Sequence, residues 1–292
     1  MLNVQVVIVT YFPDLKVVSV NINELLKDAS ISTIYIVDNT PSPCDISLLS
    51  SERVLVHVLG ENKGIASAQN IGIKLALAAG ANYVVLFDQD SILQSDLVSG
   101  LLSTMQEAQA DKINLACIGP RSFDVFSRKE TKPLIQSEKT ISSALTICPQ
   151  IIASGQLIDA NVLNVVGLME ESLFIDAVDH EWCWRARKHG FQVAIAEEVV
   201  MEHTLGDARG RFIGVQYKID SPIRMYYQFR NILVLVRRDY VPLYWKLRCI
   251  VSIFFRFIIF GLIRKDASIR RKYMWEGIVD GIKKRTGSYA SR

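Results

Sequence analysis

Two aspartates, Asp88 and Asp90, stand two residues apart directly after the apolar run Tyr83–Phe87. Such a run is typical of a buried strand, so both carboxylates follow the strand's end. Carboxylates at this spacing can reach one divalent cation, directly or through water, and hard cations such as Mg²⁺ and Mn²⁺ prefer oxygen ligands. The alternative is a solvated turn, because the DxD pattern is common. His203 alone is more typical of a structural histidine, and it becomes a candidate ligand only if the fold brings it to these aspartates.

A second group of acids, Asp176, Asp179 and Glu181, crowds the segment FIDAVDHEWCWR. A carboxylate that faces a cleft among aromatic side chains can act as a general base. The same residues also fit the start of a helix, with Asp179 as its N-cap and acids near the positive end of the helix dipole. The two interpretations are compatible, and the residues alone leave both open.

Asp38 and the segment around Asn62 are candidate ligand contacts of a different kind. Asp38 ends an apolar run, where its carboxylate can accept a hydrogen bond from a nucleobase or ribose group; the alternative is an Asx turn. Asn62, Gly64 and Asn70 surround a turn whose backbone can approach a ligand closely. The alternative for these three is the ordinary transition from a loop into a helix.

Alternating strands and helices are predicted for the first half of the chain. The apolar runs that predict buried strands are Val4–Thr10, Ile34–Val37, Val54–Leu59 and Tyr83–Phe87. Helices are predicted between them over 14–27 and 66–79. This alternation indicates an α/β fold with a parallel, doubly wound sheet, in which ligands bind beyond the carboxyl ends of the strands. Thr10-Tyr11, Asp38-Asn39 and Asp88-Gln89-Asp90 should therefore converge on one crevice.

The middle of the chain is predicted to be mixed. Strands are expected at Leu115–Gly119 and Gln192–Ala196, and another within Ser143–Ala153. A helix is expected over Glu181–His189, because Gly190 follows it. The polar segment 122–142 is predicted to be a loop.

Charge and hydropathy divide the chain into a body, residues 1–236, and a tail, residues 237–292. The tail holds 14 Lys and Arg against 4 Asp and Glu, although the net charge of the whole chain is only +3. Its apolar run Cys249–Ile263 is shorter than the roughly 20 residues that a spanning helix needs. It predicts a helix that lies in the plane of an anionic membrane surface; the alternative is a buried helix of the core. Nucleic acid is a poorer fit, because Phe and Ile are interleaved with the basic residues.

Composition excludes several classes of protein. A hydrophobic share of 50% with 22% charged residues excludes a disordered or fibrous chain. The five cysteines contain no CxxC pair, which disfavours a disulfide framework or a structural zinc site and favours a reducing cytosol. The sequence has no nucleophile elbow, HExxH motif or Walker loop.

Taken in order, these segments resemble the family 2 glycosyltransferases of the GT-A fold, and most closely their bacterial rhamnosyltransferase branch. The matching segments are VTYFPD at 9–14, VDN at 37–39, NKGIASAQNIGI at 62–73, FDQDS at 87–91, SG at 154–155, FIDAVDHEWCWRARKHGF at 174–191, EH at 202–203 and RMYYQFRN at 224–231. Each segment is weak alone, but together they follow the family's order over about 1–235. The resemblance implies a Rossmann-like nucleotide-binding sheet, and the basic, apolar tail beyond it predicts a helical, membrane-associating extension.

The resemblance also implies residue roles. Asp179 would be the catalytic base, supported by Glu181. The metal ligands for Mg²⁺ or Mn²⁺ would be Asp88, Asp90 and His203. The residues that would bind the donor nucleotide sugar are Thr10, Tyr11, Asp38, Asn62, Gly64, Asn70, Arg230 and Asn231. The chain departs from the family at Val178, where many relatives carry a second acid just before the base.

The reaction that the resemblance implies is a single inverting displacement with dTDP-L-rhamnose as donor. The acceptor would be a lipid-linked glycan, and the enzyme would be a peripheral protein on the cytoplasmic face of the bacterial membrane. The sequence also leaves open whether the protein forms a homo-oligomer. Transfer of galactofuranose or another hexose is the alternative within enzymes. The alternative from another class is an inactive nucleotide-binding membrane scaffold, which the intact Asp88, Asp90, Asp179 and His203 disfavour.

Overall fold

The structure is a computed structural model, and it describes residues 2–42, 45–124, 129–130, 138–203, 209–212, 215–218, 221–263 and 266–291. Its strands are β1 (Val4–Thr10), β2 (Ile31–Asp38), β3 (Val54–Val58), β4 (Tyr83–Asp88), β5 (Ser91–Ile92), β6 (Leu115–Asp124), β7 (Lys129–Glu130), β8 (Lys139–Thr140), β9 (Leu145–Cys148), β10 (Gln156–Asp159), β11 (Gln192–His203), β12 (Arg209–Phe212) and β13 (Val215–Lys218). Its helices are α1 (Leu15–Leu26), α2 (Ile65–Ala78), α3 (Leu97–Ala110), α4 (Ala160–Val166), α5 (Val178–Lys188), α6 (Pro222–Leu235), α7 (Leu243–Ile258) and α8 (Ala267–Ile282).

One mixed sheet forms the centre of the molecule. Its strand order is β3-β2-β1-β4-β10-β6-β11-β9-β8. The first four strands of this order are parallel, as predicted. Beyond them the sheet is mixed, because β10 runs antiparallel to both β4 and β6. The fold is thus α/β, with a parallel half that carries the predicted crevice and a mixed half beside it.

The central strands are buried on both faces, because helices cover both sides of the sheet. Alternate residues of β1 point to opposite sides, so Val7 and Val9 join one core while Val6 and Ile8 join the other. The first core is closed by α2, α4 and α5, and the second by α1 and α3. This explains why Val6–Val9 in the first strand are all apolar rather than alternating with polar residues.

The predicted elements of the first half are confirmed with small shifts at their ends. The predicted helix at 181–189 begins earlier, at Val178. Several elements were not predicted, among them α3, α4 and β10. Part of the segment predicted as a loop is strand, because β6 continues to Asp124; much of the remainder lies outside the described residues.

The tail folds back on the body through α8, which packs along α6. A Cβ atom at Gly277 would lie 2.4 Å from the carbonyl oxygen of Tyr226, and one at Gly281 would lie 2.8 Å from the side chain of Leu233. Glycine at both positions therefore permits the close approach of the two helices. The boundary predicted after residue 236 marks a change in composition, and packing continues across it.

Helix α7 continues as a π-helical turn, Ile259–Ile263, and carries a row of exposed apolar side chains. Within the chain as described, every helix is too short or too polar to cross a membrane. The exposed apolar residues of α7 are Leu243, Leu247, Ile250, Val251, Phe254 and Phe255. This row is hereafter called the apolar face of α7.

Candidate functional site

A cavity of about 510 Å³ lies at the carboxyl ends of β1 and β4, beside the start of α5. Its volume is in the range of small-molecule sites. The predicted site residues that line it are Thr10, Tyr11, Asn62, Gly64, Asp88, Asp90 and Asp179. The structure therefore brings predicted residues from four separate sequence segments to one place.

The aspartate pair is positioned by the end of β4 and by the turn that follows. Asp88 is half-buried and Asp90 is exposed. The backbone N–H of Asp88 donates to Ser154 Oγ (3.4 Å), and that buried hydroxyl is also hydrogen-bonded to the hydroxyl of Ser91. Strand β5 then pairs with β11, so that Ser91 stands opposite His203. The backbone register thus brings the position of His203 beside this turn, while its side chain lies outside what the structure describes.

The donor set at this turn fits a magnesium-like cation. Among the side chains that the structure describes, no group of three or more His, Cys, Asp or Glu residues is placed to hold a metal ion. Two carboxylates are what Mg²⁺ commonly takes from protein, since it keeps several waters and binds substrate phosphates. The cavity walls beside Asp88 and Asp90 leave room for such a substrate.

Asp38 does not line the cavity. It is fully buried, and its Oδ1 accepts hydrogen bonds from Thr10 Oγ1 (2.9 Å) and Thr40 Oγ1 (2.6 Å). Its neighbour Asn39 lines the cavity instead and donates from Nδ2 to Asn62 Oδ1 (3.0 Å). The structure therefore places Asp38 behind the cavity wall, which it helps to fix, and it adds Asn39 as a candidate contact.

Tyr11 is exposed at the cavity and is held through its backbone. Its N–H donates to Gln89 Oε1 (2.7 Å), and Gln89 Nε2 donates to the Tyr11 carbonyl oxygen (3.1 Å). These two bonds tie the end of β1 to the residue between the paired aspartates. The sequence reasoning gave Gln89 no role, although its position inside DQD was a signal.

The loop before α5 has an unusual backbone. Phe174, Asp176 and Ala177 all have φ between 64° and 68°. Left-handed backbone at residues other than glycine is strained, and such strain gathers at functional sites. The helix cap is Ala177, so the prediction that Asp179 is the N-cap is wrong. Asp179 lies inside the first turn, and its carboxylate accepts from the N–H groups of Ala153 (3.3 Å) and His180 (2.8 Å).

Arg230 and Asn231 hold this loop and do not line the cavity. Asn231 Nδ2 donates to three loop carbonyl oxygens, those of Leu173 (3.0 Å), Ile175 (2.7 Å) and Asp176 (3.0 Å). The guanidinium of Arg230 donates to Leu173 (2.8 Å) and to Asn231 Oδ1. Burial lowers the pKa of Arg230. Both side chains are buried, so the structure assigns them to positioning the loop, whereas the sequence placed them among donor contacts.

Arg224 provides a further restraint on the loop. Its guanidinium pairs with both carboxylate oxygens of Asp176, at 2.9 to 3.1 Å. Bidentate pairs of this kind fix geometry as well as charge. Asp176 thus lines the cavity with its charge compensated, which leaves Asp179, in the first turn of α5, as the better candidate base.

Glu181 also points away from the cavity. It is fully buried and accepts from Arg185 (2.9 Å), Arg238 (3.2 Å) and the hydroxyl of Tyr240 (2.6 Å). Burial, together with the contact with Glu181, raises the pKa of Tyr240 to about 12. The predicted supporting role in catalysis is therefore replaced by a structural one, in which Glu181 ties α5 to the chain after α6.

Asn70 and Gly64 complete the sequence-predicted set. Asn70 is buried and exchanges hydrogen bonds with the backbone of Met169 (2.8 and 2.9 Å), so it supports the wall from behind. Gly64 has φ of 84°, and a Cβ atom there would lie 2.6 Å from the ring and carbonyl oxygen of Phe174. Glycine at this position lets the strained loop pack against the start of α2.

Comparisons with known proteins agree with this geometry. The model for the glycosyl transferase family 2 matches residues 6–164. The dTDP-rhamnosyl transferase RfbF of Shigella flexneri is 34% identical over 304 aligned residues, which cover 98% of this chain and 97% of RfbF. An uncharacterized protein of Mycobacterium tuberculosis is 27% identical over 174 residues, or 58% of this chain and 62% of that protein.

Two solved structures share the fold. The structure of GalNAc-T7 with UDP, GalNAc and Mn²⁺ has a TM-score of 0.60 at 14% identity, covering 97% of this chain and 56% of that one. The structure of Staphylococcus aureus TarS 1–349 with UDP-GlcNAc has a TM-score of 0.56 at 15% identity, covering 96% and 82%. The family match over more than half of the sequence and the end-to-end similarity to RfbF lead to one conclusion. The chain belongs to glycosyltransferase family 2.

Proposed function

We propose that this glycosyltransferase moves L-rhamnose from dTDP-L-rhamnose to a lipid-linked glycan at the cytoplasmic face of the bacterial membrane. The observation that carries the proposal is a single cavity lined by the Asp88–Asp90 pair and by Asp179. The choice of donor rests on the similarity to RfbF, which is named as a dTDP-rhamnosyl transferase and aligns along almost all of both chains.

The proposed reaction is one displacement with inversion at the anomeric carbon. Asp179 accepts the proton of an acceptor hydroxyl. The hydroxyl oxygen then bonds to the anomeric carbon while the bond between that carbon and the departing diphosphate breaks. General-base assistance of this kind is typically worth ~10²–10⁴-fold. The exposed ring of Tyr11 offers the donor's base a stacking surface.

Asp88 and Asp90 would hold a Mg²⁺ or Mn²⁺ ion, with His203 as a proposed third ligand. When bound, the ion neutralises the charge that develops on the departing diphosphate. The fit of two carboxylates beside an open cavity supports this assignment. The Mn²⁺ in the structure of GalNAc-T7, which shares the fold, also supports a divalent ion.

Release of nucleoside diphosphate from a panel of nucleotide sugars, with and without EDTA, tests the proposal. We expect turnover with dTDP-L-rhamnose and its loss in EDTA or in Asp88→Asn and Asp90→Asn, which should unfold at the wild-type temperature. Faster turnover of a galactofuranose or other hexose donor would replace the proposed donor. Turnover of none of the donors would favour a scaffold, and full activity in excess EDTA would contradict the metal.

The apolar face of α7 supports the proposed membrane location. Its exposed residues lie on a helix that also carries Lys246, Arg248 and Arg256, the pattern of a helix in the plane of a membrane surface. The remaining faces of α7 pack on the body through Trp245 and Cys249. The helix can therefore lie on a bilayer while the cavity stays with the body.

A further inference from the structure

A second cavity, of about 310 Å³, lies between α6 and α7. It shares two lining residues, Asp176 and Ala177, with the first cavity. The strained loop before α5 is therefore a common wall of both. A ligand in the second cavity would lie beside the loop that leads directly to the proposed base, Asp179.

Helix α7 presents two different stripes. Trp245, Cys249 and Ser252 line the second cavity together with Arg248 and Arg256, at the spacing of one helix face. The apolar face of α7 lies on another stripe and is exposed. One helix thus separates a cavity that contains two arginines from a surface suited to lipid.

The second cavity has a positive charge. Its lining includes two arginines and one acid, Asp176, whose carboxylate is already paired with Arg224. Arg256 Nη1 donates to Gln228 Oε1 (2.6 Å), which orients the guanidinium without neutralising it. Arginine forks match phosphate oxygens in two-point hydrogen bonds. The cavity is therefore suited to a phosphate-bearing anion.

We propose that this cavity binds the diphosphate of a lipid-linked acceptor through Arg248 and Arg256. This inference rests on the proposed function, because it concerns the acceptor of the same reaction. The acceptor's hydrocarbon chain follows the apolar face of α7 into the bilayer, and its sugar reaches Asp179 past the shared wall. The positions of both arginines thus make them specificity-determining residues for the acceptor.

Binding of farnesyl diphosphate, a lipid diphosphate without a sugar, tests the proposal by calorimetry in detergent. EDTA suppresses metal-assisted binding of the diphosphate in the first cavity. We expect Arg248→Gln and Arg256→Gln each to weaken binding by about tenfold. Arg256→Lys, which keeps the charge but loses the fork, should fall between. The control is Lys272→Gln, which removes an equal charge from an exposed position on α8 and should bind as wild type.

Three further measurements separate the sources of the anion and the two proposals. Nucleoside diphosphate release without acceptor should be equal in all variants, which shows that the donor site is intact. If the wild type releases none, the proposed function fails, and calorimetry still decides whether the cavity binds lipid diphosphate. Unchanged farnesyl diphosphate affinity in both arginine variants would overturn the inference. If the arginine variants lose only flotation with phosphatidylglycerol vesicles and keep their affinity for farnesyl diphosphate, the arginines bind bilayer lipid instead. If the wild type binds inorganic pyrophosphate as tightly as farnesyl diphosphate, the lipid has no part in the proposal.

Discussion

Asp179 is one residue whose replacement separates a chemical role from a structural one. Asparagine keeps its volume and can still accept a hydrogen bond from the N–H of Ala153 or His180. It cannot take a proton from an acceptor hydroxyl. We therefore expect Asp179→Asn to keep donor affinity and to lose transfer by ~10²–10⁴-fold, measured as transfer rate beside donor binding.

The matched control is Asp176→Asn, three residues upstream on the loop before α5. It weakens a charge-assisted pair with Arg224 that is already complete in the structure. We expect a smaller loss of transfer than in Asp179→Asn. Near-normal transfer in Asp179→Asn with a collapse in Asp176→Asn would instead identify Asp176 as the base.

At the residue scale, the sequence predicted the segments of the site better than the direction of each side chain. Glu181 follows Asp179 by two residues on a helix, which rotates it by about 200° to the opposite side. That signal was available in the spacing alone. Asp38, by contrast, turns inward because Thr10 and Thr40 supply hydroxyl donors there, and no local pattern shows that Thr10 lies alongside.

Gly64 allows a test of how α2 and the strained loop fit together. Alanine there would place a Cβ atom 2.6 Å from the carbonyl oxygen of Phe174, in addition to the cost of a left-handed φ. We expect Gly64→Ala to lose about 3 kcal/mol of unfolding free energy. Donor turnover should also fall, because the loop leads directly into the first turn of α5, which carries the proposed base.

Gly60→Ala provides the matched control for Gly64→Ala. Gly60 also has a left-handed φ, of 69°, but nothing lies within 4 Å of the position of its Cβ atom. It should lose only about 1 kcal/mol and keep wild-type turnover. Equal losses in the two variants, measured by denaturant unfolding, would show that backbone strain rather than the contact with Phe174 matters.

A tyrosine in the contact between α6 and α8 makes the stability of the fold depend on pH in the alkaline range. Burial, together with the hydrogen bond that the Tyr226 hydroxyl donates to Asp280 (2.9 Å), raises the pKa of Tyr226 from 10.0 to about 12. The unfolded chain therefore releases this proton more readily, so stability that is present below pH 10 falls as pH rises toward 12. We expect Tyr226→Phe to reduce this fall, measured as denaturant midpoints over that range.

Tyr240→Phe is a second variant for the same measurement. Tyr240 has a similarly raised pKa through burial and its contact with Glu181, but it lies outside α6 and α8. The two substitutions should reduce the alkaline fall independently. An unchanged fall in both variants would mean that other groups control it.

At the element scale, prediction succeeded where one local pattern determines one element. Val4–Thr10 is apolar at five of its seven positions, and the structure buries all seven. Helix α3 could have been predicted in the same way, because Leu97, Leu101 and Met105 stand at helical spacing, and all three are buried. The direction of β10 is different, because its four residues fit either orientation, and only pairing with β4 and β6 from distant parts of the chain decides it.

The proposed membrane binding concerns the whole molecule, since α8 packs the tail against α6 of the body. Deleting the tail would expose the surface of α6 that Met274 and Gly277 cover, so point substitutions are the better test. We expect the double variant Phe254→Ser and Phe255→Ser to lose flotation with anionic vesicles. More salt should weaken flotation of the wild type, because basic side chains near the surface contribute about 1 kcal/mol each.

The control for flotation is Leu48→Ser. Leu48 is 79% exposed, against 65% for Phe254, but it lies in the body beside β3. Its replacement should leave flotation unchanged. Flotation that survives the double variant would place the membrane contact elsewhere on the chain.

The contacts of Gly287 have a consequence for how the enzyme is made. Its N–H donates to the carbonyl oxygen of Ser172 (2.7 Å), and its carbonyl oxygen accepts from Arg230, the residue that also holds the strained loop. A ribosome synthesises Ser172 and Arg230 well before Gly287. The nascent chain therefore cannot form these two contacts until Gly287 has left the ribosome, so the strained loop lacks this part of its support while α6 is being made.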